Sequence, residues 1–372
     1  MTKKIVIIHF QPLEYFPPAL NLIDYLSANS TETKLTIITT EPDKNTQWYG
    51  NNKVKIIRYK KIIPNSGAFI KLYRYFTFYI GAFLNLIIQK PSSVLYYETL
   101  SSLPAIWYRK LRKHRLLAHY HEIVTLDELN DGRYLNKFLN KIEARYYNKY
   151  NWISQTNKSR LEIFSTQFQL KNAEKVLKIL PNYPPLEWIK YKGQKQIEAD
   201  IIKFVHIGAI STNGMYLKEL LDEFGSKSGC TIDFYSHNFS PEVTNLISGH
   251  SNCNINGAID YKNIVQLKGM YDVGLVIYSG ESLNFVYNAP NKIFEYLALD
   301  LDVWCSNKLV TAKEYERLDC YPKMIMVDFT DFKQFDIEKA RSRKDLKYVP
   351  SSFTCESVYC ELISYLQTDF KQ

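Results

Sequence analysis

Short apolar runs rich in β-branched and aromatic residues recur along the first half of the chain, at 5–9, 34–39, 53–59, 93–97, 116–121 and 152–155. That length and composition predict strands. Between them, apolar positions fall three and four apart over 17–27, 69–88, 103–112 and 135–149, which predicts helices; in the first, Leu20, Ile23 and Leu26 share one face. Strand and helix in alternation build a parallel, doubly wound sheet. Pro181-Asn182-Tyr183-Pro184-Pro185 then breaks the pattern, and prolines at that density end regular structure. The alternation restarts with strands at 203–207, 231–235, 254–255, 273–277, 303–306 and 324–327, helices at 216–224, 264–270 and 291–299, and a last helix at 356–366. The expected fold is α/β: two Rossmann-like doubly wound domains, 1–180 and 201–345, joined by a Pro-rich linker, 181–200, with a helical segment 346–372 at the end. Ligands of such sheets sit at the carboxyl ends of the strands, so two domains facing each other place a reaction in the cleft between them.

Composition agrees with a two-domain globular protein. The chain has 372 residues, more than one core normally organises, with 46% apolar and 23% charged residues and only 14 each of Gly and Pro, which excludes disordered and collagen-like classes. The 29 Tyr and 20 Phe fit surfaces that handle sugars or face a membrane, and equally fit a compositional bias of the genome. All six cysteines, Cys230, Cys253, Cys305, Cys320, Cys355 and Cys360, lie in the second half without metal-ligand spacing, so free thiols in a reducing compartment are expected and a zinc site is not.

Charge changes the picture more. The formal charge is +9, but residues 58–160 hold 18 Lys/Arg against 6 Asp/Glu, a net of +12, which leaves −3 elsewhere. A basic half points to an anionic partner such as a lipid headgroup, or else to a solvated basic surface. The run Arg109 to Arg115 allows the same two readings. Residues 69–88 come nearest to a membrane span, but Lys71, Arg74 and Asn85 interrupt them on one side, which predicts an amphipathic helix that packs or lies at an interface. Met1-Thr2-Lys3-Lys4 and the run Ile5 to Ile8 outline a signal peptide, but the apolar run is too short and lacks a cleavage site, so it reads as the first strand. The expected location is the cytoplasm, with peripheral contact at the inner face of the cell membrane. No groove-reading motif for nucleic acid is present.

The most informative stretch is Ala289-Pro290-Asn291-Lys292-Ile293-Phe294-Glu295-Tyr296-Leu297-Ala298-Leu299. Pro290 suits a helix start, where free backbone amides and the helix dipole favour a diphosphate. Lys292 adds a full charge in the first turn, and Glu295, a turn further on, offers a carboxylate to two vicinal hydroxyls such as those of a ribose. Val205-His206-Ile207-Gly208 ends a strand with a glycine that lets the backbone approach a ligand. In the first domain, His119-Tyr120-His121-Glu122 ends a strand, where a histidine can bond a sugar hydroxyl or a leaving phosphate; the other reading is a core histidine beside a helix-capping glutamate. Tyr97-Glu98-Thr99 ends the preceding strand and is a weaker, acceptor-side candidate. Asp300-Leu301-Asp302 has the outline of a metal-binding Asp-x-Asp but falls between a helix end and a strand, so it reads as a turn and no metal is expected.

The segment 290–298 closely resembles the donor-site motif of family 4 retaining glycosyltransferases, enzymes of the GT-B fold, and His121-Glu122 and Gly208 sit where that family has its own signals. The resemblance implies that Glu295 binds the nucleotide ribose, that Asn291 and Lys292 hold the diphosphate, and that His121 contacts the transferred sugar while Glu122 supports it or the acceptor. It also implies a base-reading loop through Asn256-Gly257-Ala258-Ile259, transfer with retention, and a terminal helix packed on the first domain. The chain departs from the family at Tyr287, where many members have an earlier Glu and where Glu281 stands displaced nearby. It departs again at Ser211-Thr212-Asn213-Gly214, where most have an Arg and a Lys. The expected substrates are therefore a UDP- or GDP-sugar donor and a lipid-linked or polysaccharide acceptor in surface polysaccharide synthesis, without a cofactor. A nucleotide-sugar epimerase of the same fold and a non-catalytic membrane-binding scaffold remain as rivals.

Overall fold

The computed structural model describes residues 3–123, 134–170, 173–193, 201–332, 337 and 345–368, apart from 31, 45 and 64. The chain divides into two compact units, Met1–Pro181 with Cys355–Gln372, and Asn182–Thr354.

In the first unit, β1 (Lys3–His9), β2 (Thr33–Thr40), β3 (Val54–Tyr59), β4 (Ser93–Tyr97), β5 (Arg115–Tyr120), β6 (Trp152–Gln155) and β7 (Leu177–Ile179) form a 7-stranded sheet. Its order is β3-β2-β1-β4-β5-β6-β7, and every pairing is parallel. Side chains alternate across a strand, so Ile5, Ile7, Leu95 and Leu117 face one way and Val6, Ile8, Val94 and Leu116 the other. The first set packs on α1 (Pro17–Asn29) and on the C-terminal helix Cys355–Gln367 through Leu22, Leu26, Tyr359, Leu362 and Leu366. The second packs under α2 (Ala68–Gln89), α3 (Ser102–Leu111), α4 (Tyr134–Ala144) and α5 (Lys158–Gln167). Helices on both faces explain why these strands are continuous apolar runs rather than alternating ones. The C-terminal helix is pinned as well as packed: the Tyr359 hydroxyl donates to Pro18 O at 2.9 Å, and Arg115 donates to Thr368 O at 2.8 Å.

The second unit repeats the plan. Strands β8 (Ile202–Ile207), β9 (Cys230–Tyr235), β10 (Cys253–Ile255), β11 (Val273–Val276), β12 (Asp302–Ser306) and β14 (Met324–Val327) form a 6-stranded parallel sheet ordered β10-β9-β8-β11-β12-β14. A separate pair joins β13 (Cys320–Tyr321) to β15 (Lys347–Tyr348). The helices are α6 (Leu186–Lys190), α7 (Leu217–Phe224), α8 (Pro241–Ser248), α9 (Leu283–Val286) and α10 (Asn291–Ala298). Strand order reverses between β1 and β4 in one sheet and between β8 and β11 in the other, the places where open α/β sheets form ligand crevices.

Several expectations differ from what forms. The stretch read as a linker carries α6, whose Trp188 is 1% exposed and packs against Tyr261. The buried Lys268 ammonium holds that helix by donating to Trp188 O, Ile189 O and Ala298 O. Residues 194–200 of the same stretch lie outside the described residues. The helix read over 135–149 ends at Ala144 and gives way to a 3-10 turn, Tyr147–Lys149, while 264–270 is mostly a 3-10 helix, Tyr261–Leu267. Besides α6, three described helices, α5, α8 and α9, have no predicted counterpart, and each has a side-chain cap: Asn157 accepts from Arg160 N at 2.9 Å, Ser240 from Val243 N at 3.2 Å and Ser282 from Phe285 N at 3.3 Å. The six cysteines are free.

Candidate functional site

In the second unit the helix start read from sequence meets the end of a neighbouring strand. Helix α10 docks on the sheet through Tyr296, whose ring crosses Gly274 of β11 so closely that a Cβ there would overlap it. The Tyr296 hydroxyl accepts from Ile207 N of β8 at 2.9 Å. This brings Lys292 across the strand end at Gly208: a Cβ on Gly208 would stand 2.6 Å from Lys292 Nζ, and its φ of +119° is one that side chains resist. Glycine is therefore what lets the ammonium reach the switch point between β8 and β11.

No side chain caps the start of α10; Pro290 is in extended geometry, with φ −59° and ψ 141°. Orphan amides and the positive end of the dipole face whatever lies there. Glu295, one turn on, is 4% exposed and accepts from Asn291 Nδ2 at 2.6 Å. Burial raises its carboxyl, against the pull of Lys292 and of the Asn291 bond. Burial works against the Lys292 ammonium, but Tyr278 and Glu295 outweigh it and raise its pKa. His206 beneath is held down to about 4, first by burial and then by the Lys292 charge. The result is a lasting cation at an uncapped helix start, with a buried acceptor a turn away, a combination that suits an anion followed by hydroxyl groups.

Loops after both switch-point strands meet around this point. Tyr216 N donates to Ile277 O at 2.8 Å and Ser279 N to Gly214 O at 3.0 Å, and Tyr278 stacks on Phe285 at 5.0 Å. Ile259 joins Ile207 and Ile293 in one apolar cluster, half-buried, after Gly257. Tyr287 is half-buried and Glu281 exposed. Asp300 pairs with Lys268 at 3.1 Å and accepts from the Tyr348 hydroxyl at 3.0 Å, while Asp302 accepts from Lys323 N at 2.6 Å. Both carboxylates are thus engaged within the fold, Asp300 in the turn before β12 and Asp302 at the start of that strand.

The first unit gathers its candidates at the same kind of place. His9, Tyr97 and His119 are neighbours in register at the ends of β1, β4 and β5, and Ser154 of β6 bonds His119 Nδ1 at 2.9 Å. His121 lies just past β5, 8% exposed, with its ring against Tyr97 at 5.2 Å and Phe16 at 5.8 Å and edge-on to His119 at 4.6 Å. Burial holds His9 to about 4 and His119 to about 3, so both rings are neutral. His9 Nδ1 meets Gln11 O at 2.7 Å while the buried Nε2 has no protein partner.

Glu98 holds this cluster by its backbone. Its carboxylate accepts from His121 N at 2.6 Å, and Arg160 of α5 donates to His121 O. Glu98 itself sits at φ +61°, a costly conformation for a side-chain-bearing residue. Burial, then the nearby Glu122 carboxylate, pushes its carboxyl up to about 8. Glu122 is exposed and, with Thr99, Tyr120, Asn140 and Gln155, lines a small hollow on the α4–α5 side. Sequence reasoning missed His9, Arg160 and Tyr278. His9 had a usable signal, a polar ring ending a parallel strand; Arg160 had none, because only the fold brings α5 to the end of β5.

No protein-family model matches the chain and no curated protein matches its sequence. Solved structures do match it along nearly its whole length. Sucrose-phosphate synthase from Thermosynechococcus elongatus aligns at 12% identity and a TM-score of 0.65, over 98% of this chain and 96% of that one. Anabaena HepE in complex with UDP and glucose aligns at 11% and 0.66, over 98% and 99%. A putative UDP-N-acetylglucosamine 2-epimerase from Listeria monocytogenes aligns at 12% and 0.61, over 99% and 98%. At these identities the likeness is one of fold. The chain has the GT-B fold, two Rossmann-like α/β domains each built on a parallel sheet.

Proposed function

We propose that this protein is a glycosyltransferase that moves a sugar from a nucleoside-diphosphate sugar to a lipid-linked or polysaccharide acceptor, in surface polysaccharide synthesis at the inner face of a cell membrane. One observation carries the reading: the Lys292 ammonium crosses Gly208 at the uncapped start of α10, with the Glu295 carboxyl buried a turn further on. In this reading the α10 amides, Asn291 and Lys292 bear the charge that grows on the departing diphosphate, and they do so without a divalent metal. Glu295 takes the ribose hydroxyls, and Ile259 lines the base. An ordered imidazole at a strand end suits a sugar hydroxyl, so His121 contacts the transferred residue, with Glu122 supporting it or the acceptor and Glu98 on the acceptor side. The likeness of the 290–298 segment to family 4 enzymes supports transfer with retention. HepE, solved with UDP and with UDP-glucose, supports a nucleotide-sugar donor.

A second reading, a nucleotide-sugar epimerase, is favoured by the Listeria monocytogenes neighbour. Incubation with UDP- and GDP-sugars labelled in the sugar separates the two. A transferase releases nucleoside diphosphate and passes label to an added polyprenyl-phosphate-linked or glycan acceptor. An epimerase converts the labelled donor to its isomer with no acceptor present. If label stays in unchanged donor with every acceptor and every base, both readings fall.

A further inference from the structure

Helix α2 is apolar on the side turned away from its own core. Phe78, Tyr79, Ala82 and Leu86 are buried against the sheet. At about 100° per residue, Phe69, Leu72, Tyr73, Phe76, Leu84 and Ile87 fall together on the opposite side. Those six are between 37% and 82% exposed, and no charged side chain interrupts their stripe. A helix on a protein surface normally turns charge to the water, and one that is apolar all round belongs in a core or at a lipid boundary. Among the described residues no helix is long and apolar enough to cross a membrane, so the stripe is not that of a span.

The neighbouring helices on the same side of the sheet continue the surface. Leu111 of α3 is 67% exposed, and Tyr134 and Phe138 of α4 are 83% and 60% exposed. Of the 23 large apolar side chains exposed among the described residues, 11 lie on these three helices, so the exposure is concentrated rather than scattered.

Charge follows the same surface. Of these three helices, α3 and α4 carry Arg109, Lys110, Lys137 and Lys141, and Arg112 and Lys113 follow α3 directly, while Lys71 and Arg74 are half-buried on the side of α2 away from its stripe. The one acidic residue of the three helices is Glu143, which is 0% exposed and receives the Tyr120 hydroxyl at 2.5 Å. The outward side of three consecutive helices thus offers apolar and cationic groups and no anionic one.

We propose that this side of the first unit docks on an anionic lipid bilayer, with α2 lying along the interface. Exposed aliphatic and aromatic side chains enter the headgroup boundary, where Tyr73 and Tyr134 suit the wet edge, and the lysines and arginines meet lipid phosphates. A second copy of this chain fits worse, because a two-fold contact through this side sets one cationic surface against its twin. The surface does not depend on the nucleotide site of the second unit, and none of its residues is placed there.

The test is co-sedimentation of the full chain with phosphatidylcholine vesicles, with and without phosphatidylglycerol, alongside light scattering of the vesicle-free protein. Binding is expected only with phosphatidylglycerol, and added salt weakens it. Lys110→Gln, Arg112→Gln and Lys113→Gln together lower the partition constant on the order of a hundredfold, at about fivefold per charge. Phe69→Ser, Leu72→Ser and Phe76→Ser together lower it roughly tenfold or more, while nucleotide binding measured on the same sample stays at the wild-type value. These side chains are exposed, so both variants keep the wild-type circular dichroism. Equal binding to both vesicles, no binding to either, or wild-type binding by both variants overturns the proposal. So does a dimer in solution that the serine variant dissolves, since a second copy would then own the stripe.

Discussion

Lys292 Nζ occupies the space that a side chain at position 208 would need, 2.6 Å from where a Cβ would stand. The two residues lie on different elements, and only the docking of α10 through Tyr296 brings them together. Gly208→Ala therefore strains a backbone at φ +119° and also displaces the ammonium. Expected are a stability loss of about 1–3 kcal/mol in urea unfolding and at least roughly tenfold weaker nucleotide binding. Lost stability with unchanged affinity would separate this glycine from the ligand.

Tyr296→Phe isolates the docking bond. The variant keeps the ring over Gly274 but leaves Ile207 N unpaired in the core, at a cost of about 1–3 kcal/mol. Urea midpoints with an unchanged slope measure it. A wild-type midpoint would mean that the amide finds another partner.

Leu362→Ala tests how the chain's end supports the first unit. Leu362 is 0% exposed in a core it shares with Ile5, Leu22 and Leu117, so its truncation costs about 2–5 kcal/mol. Hydrogen exchange should speed up in β1 and β4 and stay unchanged in β8 and β11. Equal acceleration in both sheets would contradict the division into units.

The Glu98 carboxyl links stability to pH. Its folded value, about 8, lies above the ordinary 4.5, so between these limits the folded chain binds more protons than the unfolded one. Its contribution is full below pH 4.5 and is lost as pH rises through 8. His9 and His119, held to about 4 and about 3 from an ordinary 6.5, act the other way, adding stability as pH climbs to 6.5 and nothing beyond. From pH 6.5 to 8 the buried acids therefore set the slope. Glu98→Gln should flatten it, by up to about 1.4 kcal/mol per pH unit. Parallel curves for the variant and the wild type would refute the raised carboxyl.

The sheets were the legible part of this fold, for a physical reason. Strands covered on both faces need apolar side chains at every position, so 5–9 and 273–277 stand out as runs without alternation. Helix α10 was legible because Pro290 opens it and its apolar positions form a stripe. Helix α5 was not, because only Leu161, Ile163 and Phe164 of its ten residues are apolar and Ile163 falls across the helix from the other two; its signal was Asn157, a cap that only local chemistry reveals. Ser240-Pro241 before α8 was the same kind of signal, overlooked in a polar stretch. The site divides likewise. Gly208, Lys292 and Glu295 were named from local pattern and Asn291 from the family likeness; the structure sets Lys292 across Gly208 and bonds Asn291 to Glu295. Their closest relationship, the crossing of Lys292 over Gly208, is tertiary and appears in neither segment alone. Glu98 was placed at a strand end by pattern, but its left-handed backbone and its bond to His121 N come from the pairing of β4 with β5.

Calorimetric titration of the wild-type protein and of Lys292→Met with UDP and GDP bears most directly on the site. Expected is saturable binding of at least one of the two by the wild type, reduced roughly tenfold to a hundredfold in the variant and less salt-dependent there, since one charge-assisted contact is lost. Wild-type affinity in Lys292→Met, or no heat from either nucleotide with the unaltered protein, would mean that the start of α10 does not hold a diphosphate.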